Sequence, residues 1–190
     1  MKRKRKALRM LLLAAAVCLV CLPLLRLGLH RMDLVRYPKK YQEIIEKWAA
    51  EYELDPHILY AVVRTESGFD PDAVSDAGAR GLMQITEETF AWIKLKCAPY
   101  EEITFDDLFD PDVNVRFGAY FISRSLERYG GDLSTAAAAY HSGWGTVDRL
   151  LEEGYSADGV TLNGYPYPQM NFYVYKINRS YDKYTQLYGE

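Results

Sequence analysis

The chain has 190 residues, 49% of them hydrophobic and 14% aromatic, which is ordinary globular composition with room for one core. The formal net charge of -3 conceals an asymmetry: residues 1–36 hold nine Lys or Arg and one Asp, so residues 37–190 carry a net charge of -11. So acidic a domain excludes nucleic acid as an expected partner.

The first 30 residues differ from the rest of the chain. The basic cluster MKRKRK precedes an apolar run from Met10 to Leu25. Residues Leu8 to Leu29 would form about 33 Å of helix, which is enough to cross a bilayer. We therefore predict a membrane anchor at residues 1–30 and a tether at residues 31–40. The positive-inside rule then places the remaining chain outside the cytoplasm, on the cell membrane.

Two alternatives remain for this segment. A cleaved export signal would need small residues before its cleavage site, and no such pattern follows the apolar run. Lipidation at Cys18 or Cys21 is the other alternative, although a valine precedes each of them. Cys97 is then the one cysteine of the domain, where it is expected to be a small apolar core residue and not a disulfide partner.

The first predicted helix of the domain runs from Tyr41 to Tyr52, where apolar residues recur three and four positions apart. Asp55 and Pro56 supply the N-cap and first-turn proline of the second helix, and Gly68 ends it. The apolar stripe of this second helix consists of Ile58, Leu59, Val62 and Val63.

The remaining helices begin at similar signals. Thr86 caps a helix with two glutamates in its first turn, and Asp110 with Pro111 begins a long helix. That long helix ends at Gly130 and Gly131. The last predicted segments are TAAAAYH, capped by Ser134 and ended by Gly143 and Gly145, a short helix at Val147–Leu151, a loop at Gly154–Pro168, and a helix from about Gln169 to Leu187. No segment alternates as a strand does, so we predict an all-α domain of six or seven helices over residues 41–190.

Glu66 is the candidate catalytic group. It continues the helical face of Val62 and Val63, so it is carried toward the core. A carboxylate that loses hydration has a raised pKa, and a general acid for glycosidic cleavage needs this property. The alternative is a salt bridge at the rim of the core, to Arg64 or Arg80.

The segment ESGFDPDAVSDAGARGLMQI, from Glu66 to Ile85, resembles the signature of lytic transglycosylases with a lysozyme-like fold, a group related to goose-type lysozymes. Three later segments resemble the family's other motifs in order and spacing: NVRFGAYFI at Asn114–Ile122, AAYHSGWGTV at Ala138–Val147 and FYVYKI at Phe172–Ile177. The resemblance covers nearly all of residues 40–188 and implies a lysozyme-like helical domain.

The chain departs from the family pattern at several positions. His141 and Ser142 replace an Asn and a small apolar residue, and Gln169 and Met170 replace a Glu-Thr pair. Glu87 stands where the family has a proline. The change at His141 bears on the sugar subsites, and none of these departures touches Glu66.

The resemblance implies cleavage of the β-1,4 bond between N-acetylmuramic acid and N-acetylglucosamine in peptidoglycan, with a 1,6-anhydro product. It implies that Glu66 acts as acid and then base, and that Tyr173 hydrogen-bonds Glu66 unless it is only a core aromatic. The expected substrate-binding residues are Ser67, Met83, Gln84, Tyr120, Tyr140 and His141. For His141, a helix-end position without ligand contact is an equal alternative.

No second acid falls at a matching motif position, and Asp70, Asp72 and Asp76 are expected to shape the loop. One carboxylate suffices if the substrate's N-acetyl group stabilises the developing charge and its C6 hydroxyl attacks. Neither a metal site nor a cofactor is predicted, and the expected partners are glycan strands and the membrane. The rival functions are a hydrolytic muramidase on the same fold and a non-catalytic peptidoglycan-binding scaffold.

Overall fold

The computed structural model describes residue 19 and residues 21–189. Residues 21–36 are helical and are called α1 below. The chain divides into two compact units between Pro38 and Lys39. The predicted span from Leu8 to Leu29 lies largely outside the described residues, as does Cys18. Among the residues that are described, no helix has the length and apolar character needed to cross a membrane.

The second unit is built of helices, as predicted. They are α2 (Gln42–Glu51), α3 (Pro56–Glu66), α4 (Glu87–Cys97), α5 (Pro111–Arg128), α6 (Leu133–Ser142), α7 (Trp144–Glu152) and α8 (Pro168–Tyr188). A 3-10 turn at Phe105–Phe109 was not predicted. Residues 21–189 contain no strand, only isolated bridges that pair Arg80 with Val74 and Ile85. The all-α prediction is therefore confirmed for this unit.

Three of the predicted helix starts are confirmed by their caps. The side chains of Asp55, Thr86 and Asp110 each accept a hydrogen bond from a backbone N–H in the first turn of the helix that follows. These N–H groups have no partner within the helix, so each cap satisfies a donor that would otherwise be left to solvent.

The prediction for α6 and α7 was wrong in two details. Asp132, not Ser134, caps α6, because its carboxylate accepts the N–H of Thr135 at 2.7 Å from one position before the helix. Gly143 separates the two helices with φ of 79°, a left-handed conformation that favours glycine. Gly145 does not end α6 but lies inside α7, which begins three residues earlier than expected.

Helix α3 is buried more completely than its predicted stripe requires. All six residues from Ile58 to Val63 are buried, because α3 packs against both α2 and α8. The helix ends at Glu66, where the chain enters the loop before α4. The candidate carboxylate therefore lies at the end of a central helix.

Asn114 fixes that loop to α5. Its Oδ1 accepts the N–H of Met83 at 2.8 Å, and its Nδ2 donates to the carbonyl oxygens of Arg80 and Leu108 at 2.9 and 2.8 Å. Asn114 has no exposed surface. Gly81 lies so close to Asn114 that a Cβ added at residue 81 would be 2.1 Å from Nδ2. The φ of Gly81 is +74°, which also disfavours any residue with a side chain.

Replacing Asn114 with alanine should lower the free energy of unfolding by about 3 kcal/mol, because three buried backbone groups lose their partner. Urea unfolding followed by circular dichroism measures this loss. Asn163, which is exposed, provides the control: its change to alanine should cost less than about 0.5 kcal/mol. A loss below about 1 kcal/mol at Asn114 would show that the loop does not depend on it.

Candidate active site

Glu66 faces a hydroxyl group from the last helix. The Tyr173 hydroxyl donates a hydrogen bond to Glu66 Oε1 at 2.5 Å. Packing of α3 on α8 brings these residues together although they are 107 positions apart. Tyr173 is only 4% exposed, so the hydrogen bond is shielded from water. The contact implied by the sequence is present, and its catalytic role remains a prediction.

Burial determines the protonation of Glu66. Loss of hydration raises its pKa from 4.5 to about 7. The hydrogen bond from Tyr173 and the positive charge of Lys176 act in the opposite direction, since both favour the ionised carboxylate, but they do not offset the desolvation. Near neutral pH, Glu66 therefore exists in both protonated and ionised forms.

The alternative of a salt bridge at the rim does not describe the site. Arg80 pairs with Asp106, and the Arg64 guanidinium donates to Ser180 Oγ at 3.3 Å. The hydrogen-bond partner of Glu66 is a neutral hydroxyl, which leaves the carboxyl group able to gain or lose a proton.

Two tyrosines beside Glu66 act as hydrogen-bond donors. Burial, together with the nearby charge of Glu66, raises the pKa of both Tyr140 and Tyr173 well above its ordinary value. Both hydroxyls therefore stay protonated at physiological pH. The Tyr140 hydroxyl donates to the carbonyl oxygen of Met83 at 2.7 Å, so it holds the loop next to the carboxylate.

His141 stacks on Tyr173. Its ring and that of Tyr173 are nearly parallel, at 14°, with centroids 4.7 Å apart. Partial burial lowers the pKa of His141, and the charge of Lys176 acts in the same direction. The imidazole, whose lowered pKa favours its neutral form, thus lies one ring away from the Glu66 carboxyl group, where a bound sugar could contact it.

Ser67 and Gln84 use their donors to hold the loop. Ser67 Oγ donates to the Leu82 carbonyl oxygen at 2.8 Å. Gln84 Nε2 donates to the carbonyl oxygens of Ala73 and Gly81, both at 3.0 Å. The hydrogens of both side chains are thus donated to backbone carbonyl oxygens, so only their oxygens remain to accept a hydrogen bond from a sugar, and their role in substrate binding stays a prediction.

Met83 is among the expected substrate-binding residues, but its side chain has no exposed surface to offer a ligand. Its side chain is fully buried and packs so tightly on α5 that a Cβ added at Gly118 would be 2.2 Å from Met83 Sδ. The periodicity around the loop could not reveal this contact. The Tyr120 ring packs against those of Tyr52 and Trp92 at centroid distances of 5.8 and 6.2 Å, and its expected role in substrate binding stays a prediction.

A groove of about 800 Å³ opens beside Tyr140 and His141. Its wall contains Trp92, Phe121 and Trp144, and the Trp144 ring lies 5.0 Å from Trp92 and 5.5 Å from Phe121. The remaining lining is largely polar and comprises Thr86, Glu88, Thr89, Ser142, Gly143, Gly145, Thr146 and Arg149. Aromatic faces flanked by polar groups suit the apolar faces and hydroxyls of sugar rings.

The two tryptophans of this groove were not predicted from the sequence. Trp92 lies between Phe90 and Ile93, which are the buried residues of α4, and it projects from a different face of that helix. Trp144 lies between Gly143 and Gly145, which were expected to end a helix, so Trp144 was predicted to be a turn residue. The available signal was a large aromatic residue outside the apolar stripe of a helix. Core packing does not explain such a residue, so it can indicate a binding surface.

Comparisons with known proteins identify the family of this chain. Residues 43–163 match the family described as the transglycosylase SLT domain. A transglycosylase of enterobacteria phage PRD1 is 36% identical over 104 residues, which cover 55% of this chain and 35% of that protein. The soluble lytic murein transglycosylase of Escherichia coli K12 is 28% identical over 158 residues, 80% of this chain and 24% of that protein.

The membrane-bound lytic murein transglycosylase C of Sodalis glossinidius is 27% identical over 169 residues, 77% of this chain and 47% of that protein. The chain thus spans less than half the length of these relatives.

Solved structures show the same fold. The 70 kDa soluble lytic transglycosylase of Escherichia coli has a TM-score of 0.74 at 22% identity, over 83% of this chain and 26% of that one. An inactive mutant of the lytic transglycosylase Slt from Pseudomonas aeruginosa has a TM-score of 0.70 at 26% identity, over 82% of this chain and 26% of that one. The likeness supports the predicted lysozyme-like fold. Since the family match covers more than half of its length, this chain belongs to the transglycosylase SLT domain family.

Proposed function

We propose that this chain is a peptidoglycan lytic transglycosylase. It cleaves the β-1,4 bond between N-acetylmuramic acid and N-acetylglucosamine and leaves a 1,6-anhydromuramoyl end. Family membership and relatives named lytic murein transglycosylases support the proposal. The observation that carries it is Glu66, whose pKa is raised to about 7 by burial and whose carboxyl group is held by Tyr173 beside an aromatic groove.

Protonated Glu66 begins the reaction. It donates its proton to the glycosidic oxygen as the bond from that oxygen to the anomeric carbon breaks. The N-acetyl group of the muramoyl residue stabilises the positive charge that develops at the anomeric carbon, so a second carboxylate is not needed. A pKa near 7 suits this step, because much of the enzyme is then protonated at neutral pH.

Ionised Glu66 completes the reaction. The C6 hydroxyl of the same sugar forms a bond to the anomeric carbon, and Glu66 accepts the proton that this hydroxyl loses. The attack is intramolecular, so it avoids the entropic cost of holding a water nucleophile. The Tyr173 hydrogen bond and the Lys176 charge favour the ionised carboxylate, so they stabilise Glu66 between the two steps.

The sugar chain is proposed to lie along the aromatic groove. Trp92 and Trp144 would contact ring faces, and Tyr140 and His141 would border the subsite next to Glu66. Ser67 and Gln84 would accept hydrogen bonds through their oxygens.

We also propose that residues 1–30 anchor the enzyme in the cell membrane, that residues 31–40 form a tether and that residues 41–190 act outside the cytoplasm. The basic cluster and apolar run support this arrangement, and one relative is named membrane-bound. Extraction of cell membranes at alkaline pH tests it, because an anchored protein stays with the membrane. Release into the soluble fraction would contradict the anchor.

Digestion of purified peptidoglycan followed by mass spectrometry tests the reaction. We expect muropeptides with 1,6-anhydro ends, which are lighter by one water than the hydrolytic products. Reducing ends on all products would instead identify a hydrolytic muramidase. Absence of any cleavage, with binding retained, would identify a non-catalytic peptidoglycan-binding module.

Changing Tyr173 to phenylalanine should lower kcat/KM by about tenfold, which corresponds to one lost hydrogen bond to a charged group. It should also move the pH dependence. Activity is expected to fall as pH rises through the pKa of Glu66, which is about 7. Loss of the Tyr173 donor raises that pKa, so the fall shifts to higher pH. A profile of kcat/KM against pH measures both effects.

Tyr155, in the loop between α7 and α8, provides the matched control, and its change to phenylalanine should leave the profile unchanged. If the Tyr173 variant kept the wild-type midpoint, Tyr173 would have no electrostatic effect on Glu66.

A further inference from the structure

Helix α8 carries a stripe of aromatic and basic side chains outside the groove described above. The stripe consists of four residues spaced four, three and four positions apart, so they share one helical face: Phe172, Lys176, Arg179 and Lys183. Tyr175 borders the same face. Phe172 is 61% exposed and Tyr175 54% exposed, so the core does not account for either ring.

This stripe begins at the catalytic pair. Lys176 Nζ lies 5.3 Å from the centroid of the Phe172 ring and 5.6 Å from that of Tyr173. Tyr173 in turn donates its hydrogen bond to Glu66. A substituent on a sugar bound at Glu66 would therefore lie near the end of the stripe that Phe172 and Lys176 form.

Further along α8, the stripe borders a shallow hollow of about 390 Å³. Its lining contains two basic residues, Arg179 and Lys183, against one acidic residue, Asp182, together with Tyr175, Asn178 and Gln186. The Arg179 guanidinium donates to the Tyr175 hydroxyl at 3.1 Å, which orients it along the helix surface. The hollow thus combines positive charge with hydrogen-bonding groups.

We propose that this stripe binds the acidic peptide stem carried by the muramoyl residue at the cleavage site, an inference that rests on the proposed function. Charge is the first reason. Residues 37–190 carry a net charge of -11, yet the stripe holds three Lys or Arg residues. A local positive surface on an acidic domain fits an anionic ligand, and peptide stems are anionic through their free carboxylates.

Length and attachment are the second reason. Residues 172–183 span about 16 Å of helix at 1.5 Å per residue, and an extended peptide of about five residues has the same length. The stem is attached to the lactyl group of the same sugar whose anomeric carbon reacts, so it begins at the sugar bound beside Glu66 and Tyr173. The exposed ring of Phe172 is adjacent in sequence and can pack against the first residue of the stem.

Binding by the catalytically inactive chain provides the test. The full chain with Glu66→Gln is mixed with intact peptidoglycan or with glycan from which an amidase has removed the stems, and the bound fraction is measured by sedimentation. Adding Arg179→Glu and Lys183→Glu should weaken binding to intact peptidoglycan by about tenfold, since two attractive contacts become repulsive. Binding to stripped glycan should change much less.

Two further variants make the result specific. Lys96, exposed on α4, is the matched control, and Lys96→Glu should leave the ratio of the two affinities unchanged. If charge reversal on α8 unfolds the chain, the neutral pair Arg179→Gln and Lys183→Gln should still weaken binding to intact peptidoglycan by about threefold.

Equal weakening on both glycans would overturn the proposal, because the stripe would then contact sugar or another anionic surface. Unchanged binding to intact peptidoglycan would overturn it as well. The test is independent of turnover: if the wild-type chain cleaves neither glycan, the proposed function fails while the binding comparison remains valid.

Discussion

Glu66→Gln should reduce the rate of peptidoglycan cleavage by about a thousandfold or more. General acid catalysis contributes on the order of 10² to 10⁴ to a rate, and in this mechanism one group serves as both acid and base. Glutamine has the shape of glutamate and can still accept the Tyr173 hydrogen bond, but it cannot transfer a proton. The expected result is a folded chain that binds peptidoglycan and releases almost no soluble muropeptides.

Release of soluble fragments from labelled peptidoglycan measures the rate, and circular dichroism verifies the fold. Glu87, exposed in the first turn of α4, provides the control, because Glu87→Gln removes the same charge outside the site. That variant should retain activity within about twofold, as most surface substitutions do. Activity of the Glu66 variant within a few fold of wild type would remove this residue from the catalytic role.

The helices could be predicted because their signals are local. A cap such as Asp55 or Asp110 and the proline after it specify a helix start from adjacent residues. The error at Ser134 arose where two neighbouring residues could both cap, and the choice of Asp132 depended on where α6 begins. The complete burial of α3 was not predicted, since periodicity identifies one buried face but not how many neighbours surround a helix.

The site could be predicted only in part, for a related reason. Spacing placed Glu66 toward the core, and family resemblance paired it with Tyr173, which the structure places in contact with it. The same resemblance did not reveal that Met83 is buried beneath the loop or that Trp92 lines the groove. The burial of Met83 and the position of Trp92 depend on packing between segments that are distant in sequence. Neither a local pattern nor a motif match gives information on that packing.

Glu66→Gln should also stabilise the fold, and the gain should grow with pH. The pKa of Glu66 is raised from 4.5 to about 7 by folding, so between these pH values the folded state binds more protons than the unfolded state. Stability therefore falls as pH rises through this window, because ionising Glu66 is easier in the unfolded chain. The shift corresponds to about 3 kcal/mol at pH 8, where the buried carboxylate is charged, and to almost nothing at pH 4.

Urea unfolding of wild type and variant at pH 4, 6 and 8 measures the difference. All other titrating groups are common to both chains, so their contributions cancel and the growing gap belongs to residue 66. Glu87→Gln should show a difference below about 1 kcal/mol that does not grow with pH in this way, because that carboxylate is exposed. A gap for Glu66→Gln that stays constant from pH 4 to pH 8 would mean that Glu66 is not held in a desolvated site, and its assignment as a general acid at neutral pH would lose its physical basis.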